Sequence, residues 1–282
     1  MVENKRWLDV LAHMVLILGV LLVAFPVYMA IIASTHEPSE FISGVVPLLP
    51  GTNAVRSYSE VLQGGVESSM SMPIWIMMKN SLIMALIVAI GKIVISITSA
   101  YAIVYFRFPF RMLAFWMIFV TLMLPVEVRI VPTFKVVADL NMLNSYAGLT
   151  IPLIASATAT FLFRQVFLTI PDELMEAARI DGAGPIKFFK DVLLPLSQTN
   201  IAALFVILFI FGWNQYLWPI LVTTDDSFQT IVAGIKRMAD VVDGEPRWNN
   251  IMATSVLAML PPVLVVIFMQ RLFVKGLVET EK

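Results

Sequence analysis

The sequence predicts an all-α membrane protein with six transmembrane helices. Three observations carry that reading. Of the 282 residues, 59% are hydrophobic and 14% are charged, against about 45–50% and about 25% in soluble domains. That surplus exceeds what one globular core buries and fits several bilayer spans. Apolar runs near or above the roughly 20 residues that a crossing helix needs recur along the chain. Lysine and arginine are also distributed unequally over the connections between those runs, as they are across a membrane.

Taken in order, the run 10–35 holds no charged residue, and the run 80–106 holds one, Lys92. The run 112–126 is shorter and uncharged, and its pattern continues past Pro125 with charges interspersed, as in a tilted or kinked helix. The runs 140–163 and 192–224 are uncharged, and the second exceeds one span, so it includes flanking structure. The run 248–270 is the sixth. The first run is longer than the roughly 7–15 residues of a signal-peptide core, and no A-x-A site follows it. It is expected to be an uncleaved anchor.

Six spans put both termini on one side. That side carries eleven lysines and arginines and the other six, while Lys79, one residue before the run 80–106, and Lys92 within it belong to the second span, completing the nineteen. The excess predicts cytoplasmic termini in a multi-pass protein. Inner connections then fall at about 107–111 and 164–198, and outer ones at about 36–72, 127–139 and 225–247. The whole chain, 1–282, reads as a single transmembrane domain. The stretch 37–72 contains Pro38, Pro47, Pro50, Gly51, Gly64 and Gly65 and is expected to be irregular. The stretch 225–247 carries charges of both signs. It reads equally as a surface for a soluble partner or as a solvated connector.

Composition also excludes. A net charge of −1 supplies no basic field for nucleic acid. With no cysteine, only His13 and His36, and no H-E-x-x-H, a metal site is not expected. No nucleophile–base–acid set is legible, so the chain is expected to be non-catalytic. There is no phosphate-binding G-x-x-x-x-G-K-[ST]: Ile93 follows Gly91-Lys92, and Leu86 occupies the first glycine position. A transporter driven by an ion gradient would place acids within its spans and often repeat its halves. No apolar run here contains an acid, and no repeat is evident.

The connection after the fourth span reads Thr169-Ile170-Pro171-Asp172-Glu173-Leu174-Met175-Glu176-Ala177-Ala178-Arg179-Ile180-Asp181-Gly182-Ala183-Gly184-Pro185. Thr169 is placed to cap a helix, Pro171 suits its first turn, and Asp172 and Glu173 suit its positive dipole end. Ala177 and Ala178 favour helix and present almost no side chain. Gly182 suits a left-handed stop. Gly184-Pro185 then turns the chain into a second short helix, from Ile186 to about Leu193, ended by Pro195. Leu174, Ile180, Phe188 and Phe189 are expected to pack the two helices together. Small residues flanked by charges suit docking into a groove on another protein, but the same pattern suits an ordinary surface hairpin.

The spacing E-A-A, three residues, G, nine residues, hydrophobic-x-L-P is present as Glu176-Ala177-Ala178, Gly182 and Val192-Leu193-Leu194-Pro195. It resembles the signature of permease subunits of binding-protein-dependent ABC importers, with Val192 where that family usually has Ile. Phe163-Arg164-Gln165, Pro171-Asp172-Glu173-Leu174, Asn144-Ser145-Tyr146-Ala147-Gly148-Leu149 and Trp213-Asn214-Gln215-Tyr216-Leu217-Trp218-Pro219 are similar to the carbohydrate-type subgroup. Leu122-Met123-Leu124-Pro125-Val126-Glu127-Val128-Arg129-Ile130 and Ser156-Ala157-Thr158-Ala159-Thr160 are similar to the second permease subunits of sn-glycerol-3-phosphate importers. The resemblance implies a type I importer permease fold in a bacterial inner membrane. It also implies a second, homologous permease subunit, an ATPase dimer holding ATP and Mg, and a periplasmic binding protein. In such a chain Glu176, Ala177, Ala178, Arg179, Asp181, Gly182 and Pro195 would couple to the ATPase. The substrate would be sn-glycerol-3-phosphate or, alternatively, a neutral sugar or oligosaccharide.

Polar residues within spans are the candidates for a substrate path. Lys92, near the middle of the second span, reads either as an attractor for an anion in the pore or as a structural packing residue. Asn214 and Gln215, between Trp213 and Trp218, read either as contacts for substrate hydroxyls or as inter-helix hydrogen bonds.

Overall fold

The computed structural model describes residues 6–44, 46–64, 72–121, 126–240 and 246–279, and no strand occurs among them. In chain order the helices are α1 (Arg6–Ala33), α2 (Ala54–Gln63), α3 (Ile74–Tyr105), α4 (Arg111–Val120), α5 (Val126–Asp139), α6 (Tyr146–Thr150) and α7 (Ala157–Leu168). There follow α8 (Asp172–Ile180), α9 (Pro185–Phe188), α10 (Leu194–Leu196), α11 (Gln198–Trp213), α12 (Leu217–Val222), α13 (Ile231–Ala239) and α14 (Trp248–Glu279).

Three of the expected spans are unbroken: Asp9–Ala33 within α1, all of α3, and Trp248–Gln270 within α14. The expected fourth span is a bent pair, and the expected fifth is made of α11 and α12, with α11 joined at a sharp bend to the helical end of the expected inner connection. Tyr146–Leu153 and Ala157–Leu168 meet at 48°, and Pro185–Leu196 and Gln198–Trp213 meet at 73°. The first break has local causes: Pro152 sits in a single 3₁₀ turn, and Ser156 restarts the helix by accepting from the Ala159 N–H at 3.3 Å. For the expected third span, α4 covers ten residues, and Leu122 to Pro125 lie outside the described residues. Beyond them α5 occupies the stretch 127–139, expected as a connection, and runs through Pro132. The stretch 37–72, expected to be irregular, contains the short helix α2, and the stretch 225–247 contains all of α13.

Two compact units are distinguished by their internal packing: Met1–Ile76 with Gly234–Leu260, and Met77–Ala233 with Pro261–Lys282. In the first, α1 is apolar on every side and only 6% of its spanning window is buried, as suits a helix bathed in lipid. Below its end a polar cluster takes over. Tyr28 Oη donates to the Leu48 carbonyl at 2.6 Å, and His36 bridges Glu40 (2.7 Å) and the Leu49 carbonyl (2.8 Å). Glu60 of α2 accepts from Arg56 (2.8 Å), Arg247 (3.2 Å) and Asn250 (3.0 Å), tying α2 to the start of α14. Burial alone would raise the Glu60 carboxyl, but the Asn250 and Arg56 hydrogen bonds and the two guanidinium charges hold it below its ordinary value of 4.5. A depressed folded value means stability that is full above 4.5 and lost as pH falls through the folded value. Glu60→Gln is therefore expected to flatten the acid limb of the melting temperature below about pH 5, which thermal denaturation at graded pH would read. An unchanged acid limb would remove Glu60 from that role.

In the second unit the core is Met84, Val88, Val137, Leu149, Trp218 and Val222, drawn from α3, α5, α6 and α12. Within a bilayer, lipid removes the hydrophobic drive between helices, so close approach and hydrogen bonds must hold them. Both are present. A Cβ at Gly91 would meet Ile154 at 2.8 Å, and one at Gly212 would meet the Ala85 Cα at 2.9 Å, so these glycines set how closely their helices approach. Buried Asn80 donates to the Ser227 and Gln229 carbonyls at 2.8 and 3.0 Å and accepts from Tyr146 Oη at 2.7 Å. Ser96 Oγ donates to the Ser156 carbonyl at 3.1 Å.

Candidate functional site

The hairpin formed by α8 and α9 is built from local signals. Asp172 and Glu173 lie in the first turn of α8 and Arg179 in its last, each at the favourable dipole end. Pro171 stands at the N-cap rather than in the first turn. Thr169 closes α7 instead of opening α8: its Oγ1 donates back to the Val166 carbonyl at 2.7 Å. At the other end Asp181 is the C-cap and Gly182 follows with φ +71°. The Ala183 N–H reaches the Ala178 carbonyl at 2.8 Å and the Gly182 N–H the Arg179 carbonyl at 3.0 Å, the two bonds of a Schellman stop. Gly184, extended, caps α9, and Pro185 opens it.

The expected packing of the two helices on each other is not what holds the hairpin. Leu174 is 40% exposed and Ile180 86%, and no residue of α8 is buried. Only the aromatic pair packs, and it packs on α3. The Phe188 ring lies 5.4 Å from Tyr105 and the Phe189 ring 4.9 Å from Tyr101, while Tyr101 Oη donates to the Pro185 carbonyl at 2.9 Å. Helical spacing marks an apolar residue without saying which surface it meets. Tyr101 and Tyr105 thus join the site although sequence reasoning passed over them. The available signal was two tyrosines four apart at the end of a span.

Glu176, Ala177, Arg179, Asp181 and Gly182 are all exposed on this hairpin, and Ala178 is half-buried. Pro195 lies apart from them, beyond a π turn at Phe189–Leu193. The wide turn is closed by the Leu194 N–H on the Phe189 carbonyl, and the helix runs to Leu196 and breaks at Ser197 rather than stopping at Pro195.

The three substrate-path candidates divide. Lys92 is 7% exposed and its Nζ lies 3.8 Å from the centre of the Phe211 ring. Gln215 Nε2 donates at 3.2 Å to the carbonyl of the same Phe211, a bond within its own helix end rather than between helices. Asn214 is the exposed C-cap of α11. Phe211, not singled out from the sequence, is what brings Lys92 and Gln215 to one place.

A family model described as "Binding-protein-dependent transport system inner membrane component" matches residues 92–279. A protein named sn-glycerol-3-phosphate transport system permease protein UgpE, from Agrobacterium fabrum, is 60% identical over 282 residues, covering 100% of both chains. Proteins of the same name from Brucella melitensis and Yersinia pestis are 58% and 57% identical over the same full lengths. Among solved structures, a chain of a bacterial ABC transporter involved in the import of the acidic polysaccharide alginate superposes with a TM-score of 0.80. It is 20% identical, and the match covers 96% of this chain and 98% of that one, a likeness of fold.

Proposed function

The chain belongs to the inner membrane components of binding-protein-dependent transport systems, and on that footing we propose that it forms half of the translocation path of an ATP-driven importer of sn-glycerol-3-phosphate. One observation carries the mechanism: α8 buries no residue and presents Glu176, Ala177, Arg179 and Ile180 outward, while α9 at its base is bolted to α3 through Tyr101 and Tyr105. A helix presented outward on a rigid base is suited to take force from a partner and pass it to a span. Glu176, Ala177, Ala178, Arg179, Asp181 and Gly182 meet an ATPase subunit, and Pro195 shapes the turn that follows.

The lysine and arginine excess supports placing this hairpin and both termini in the cytoplasm. The partners are a second, homologous permease, an ATPase dimer that binds ATP and Mg, and a periplasmic binding protein that meets the outer connections. Together they move one domain, 1–282, within the lipid bilayer. Purification of the assembled complex, followed by a binding-protein-stimulated ATPase assay across candidate solutes, tests the reading. Stimulation by sn-glycerol-3-phosphate is expected, and stimulation by a neutral sugar alone would overturn the substrate.

The neutral sugar remains the second reading because the Lys92 ammonium rests on the Phe211 ring rather than open to a path. Lys92→Met separates the two. If this cation draws in the phosphate, the KM for sn-glycerol-3-phosphate uptake rises about tenfold or more, the worth of one charged hydrogen bond. An unchanged KM assigns Lys92 to packing.

A further inference from the structure

We propose that the cavity between α8 and the α3–α4 connection seats the phosphate headgroup of an anionic phospholipid. The cavity measures about 1100 Å³, and Arg107, Arg111 and Arg179 line it with Tyr101, Tyr105 and Asp172. Three arginines and one aspartate therefore share its lining. None of the three forms an ion pair among the described residues. Arg111 makes a single long bond, from Nη1 to the Phe106 carbonyl at 3.5 Å. A polar cavity with uncompensated arginines calls for an anion with several acceptor oxygens, which a phosphate supplies.

The surroundings favour a lipid over a free anion. The cavity lies where α3 ends and α4 begins, beside apolar side chains that the protein leaves bare. Phe106, Phe108 and Phe110 are 42%, 38% and 79% exposed, and Met112 and Leu113 are 44% and 55% exposed. Phe110 takes a left-handed backbone at φ 62°, a conformation a bulky residue rarely adopts, and it does so with its ring out in the surroundings. Aromatic rings beside arginines at the end of a span are the pattern of headgroup depth, and basic pockets between such spans hold anionic headgroups. The acyl chains would cover the bare face of α4. The site rests on the proposed cytoplasmic placement of this end of α3 and adds a lipid ligand beneath the ATPase-facing helix.

The complete transporter in nanodiscs of phosphatidylcholine with graded phosphatidylglycerol tests this, with retained lipid read by native mass spectrometry. Wild type is expected to retain phosphatidylglycerol. R107Q/R111Q is expected to lose it by about 30-fold, two arginine contacts' worth, while R107K/R111K keeps most of it. Equal retention by wild type and R107Q/R111Q overturns the site. So does displacement of the lipid by millimolar inorganic phosphate, which would make the ligand a free anion. Should R107Q/R111Q fail to assemble, wild type titrated at rising salt decides: retention must weaken, and retention indifferent to salt sinks the proposal. ATP-coupled uptake measured on the same preparation keeps the outcomes apart, since a coupled transporter that retains no phosphatidylglycerol refutes the lipid site and leaves the coupling hairpin standing.

Discussion

Gly182→Val is expected to abolish ATP-driven uptake while the complex still inserts, assembles and hydrolyses ATP. The cause is conformational, because a Cβ at Gly182 would meet nothing within 4 Å. What valine cannot do cheaply is hold φ +71°. The left-handed region costs an ordinary residue roughly 1–2 kcal/mol, and a β-branched one more. Relief comes by unwinding the Schellman stop, which releases the Ala183–Ala178 and Gly182–Arg179 bonds and lets α8 swing on its base. A lever that swings dissipates the motion it should transmit. The series orders the test: Gly182→Asn, tolerant of left-handed backbone, retains most uptake, Gly182→Ala less, and Gly182→Val loses it, with uptake per ATP measured in proteoliposomes. Normal coupling in Gly182→Val would remove this turn from the mechanism.

The reach of the sequence can be judged at this same hairpin. Its start, its glycine stop and its second helix were legible because each depends on neighbours a few residues away: acids at a dipole end, a glycine at C′, a proline at N1. The spacing from Glu176 to Pro195 was legible as a family likeness for the same reason. The support beneath the hairpin was not. Phe188 and Phe189 meet Tyr105 and Tyr101, some eighty residues earlier in the chain, and periodicity carries no address. Leu174 and Ile180 looked like the interior of the hairpin and instead stand exposed, since the same apolar spacing serves a core and a docking face alike. The spans show the same division. Long uncharged runs revealed α1, α3 and α14, but the bends at residues 154–156 and at Ser197 depend on caps and a π turn that hydropathy averages away.

Gly148→Ala is the other substitution with a large expected effect, and here the cause is space. The added Cβ would lie well inside van der Waals contact of the Met142 carbonyl oxygen and 3.3 Å from Val137 Cγ1. Neither neighbour can yield. The Met142 N–H is bonded to the Val137 carbonyl at 2.9 Å, and its carbonyl accepts from Ser145 Oγ at 2.6 Å. Trp218 Nε1, at 3.1 Å, fixes the Gly148 carbonyl from the other side. Overpacking of such a site costs about 1–3 kcal/mol, and the melting temperature of the purified complex should fall accordingly. The disturbance should also travel. Asn144, four residues upstream and left-handed at φ 52°, accepts from the Thr224 and Asp225 N–H groups at 2.7 and 3.0 Å, so a displaced α6 pulls on the Thr224–Asp225 backbone. Gly184→Ala is the matched control: nothing lies within 4 Å and φ is an ordinary −70°, so its melting temperature should match wild type. If Gly148→Ala and Gly184→Ala proved equally mild, the run Asn144 to Leu149 would have lost its packing role. A large fall for the first alone would show that this family-like stretch is held by the steric demand of one backbone crossing.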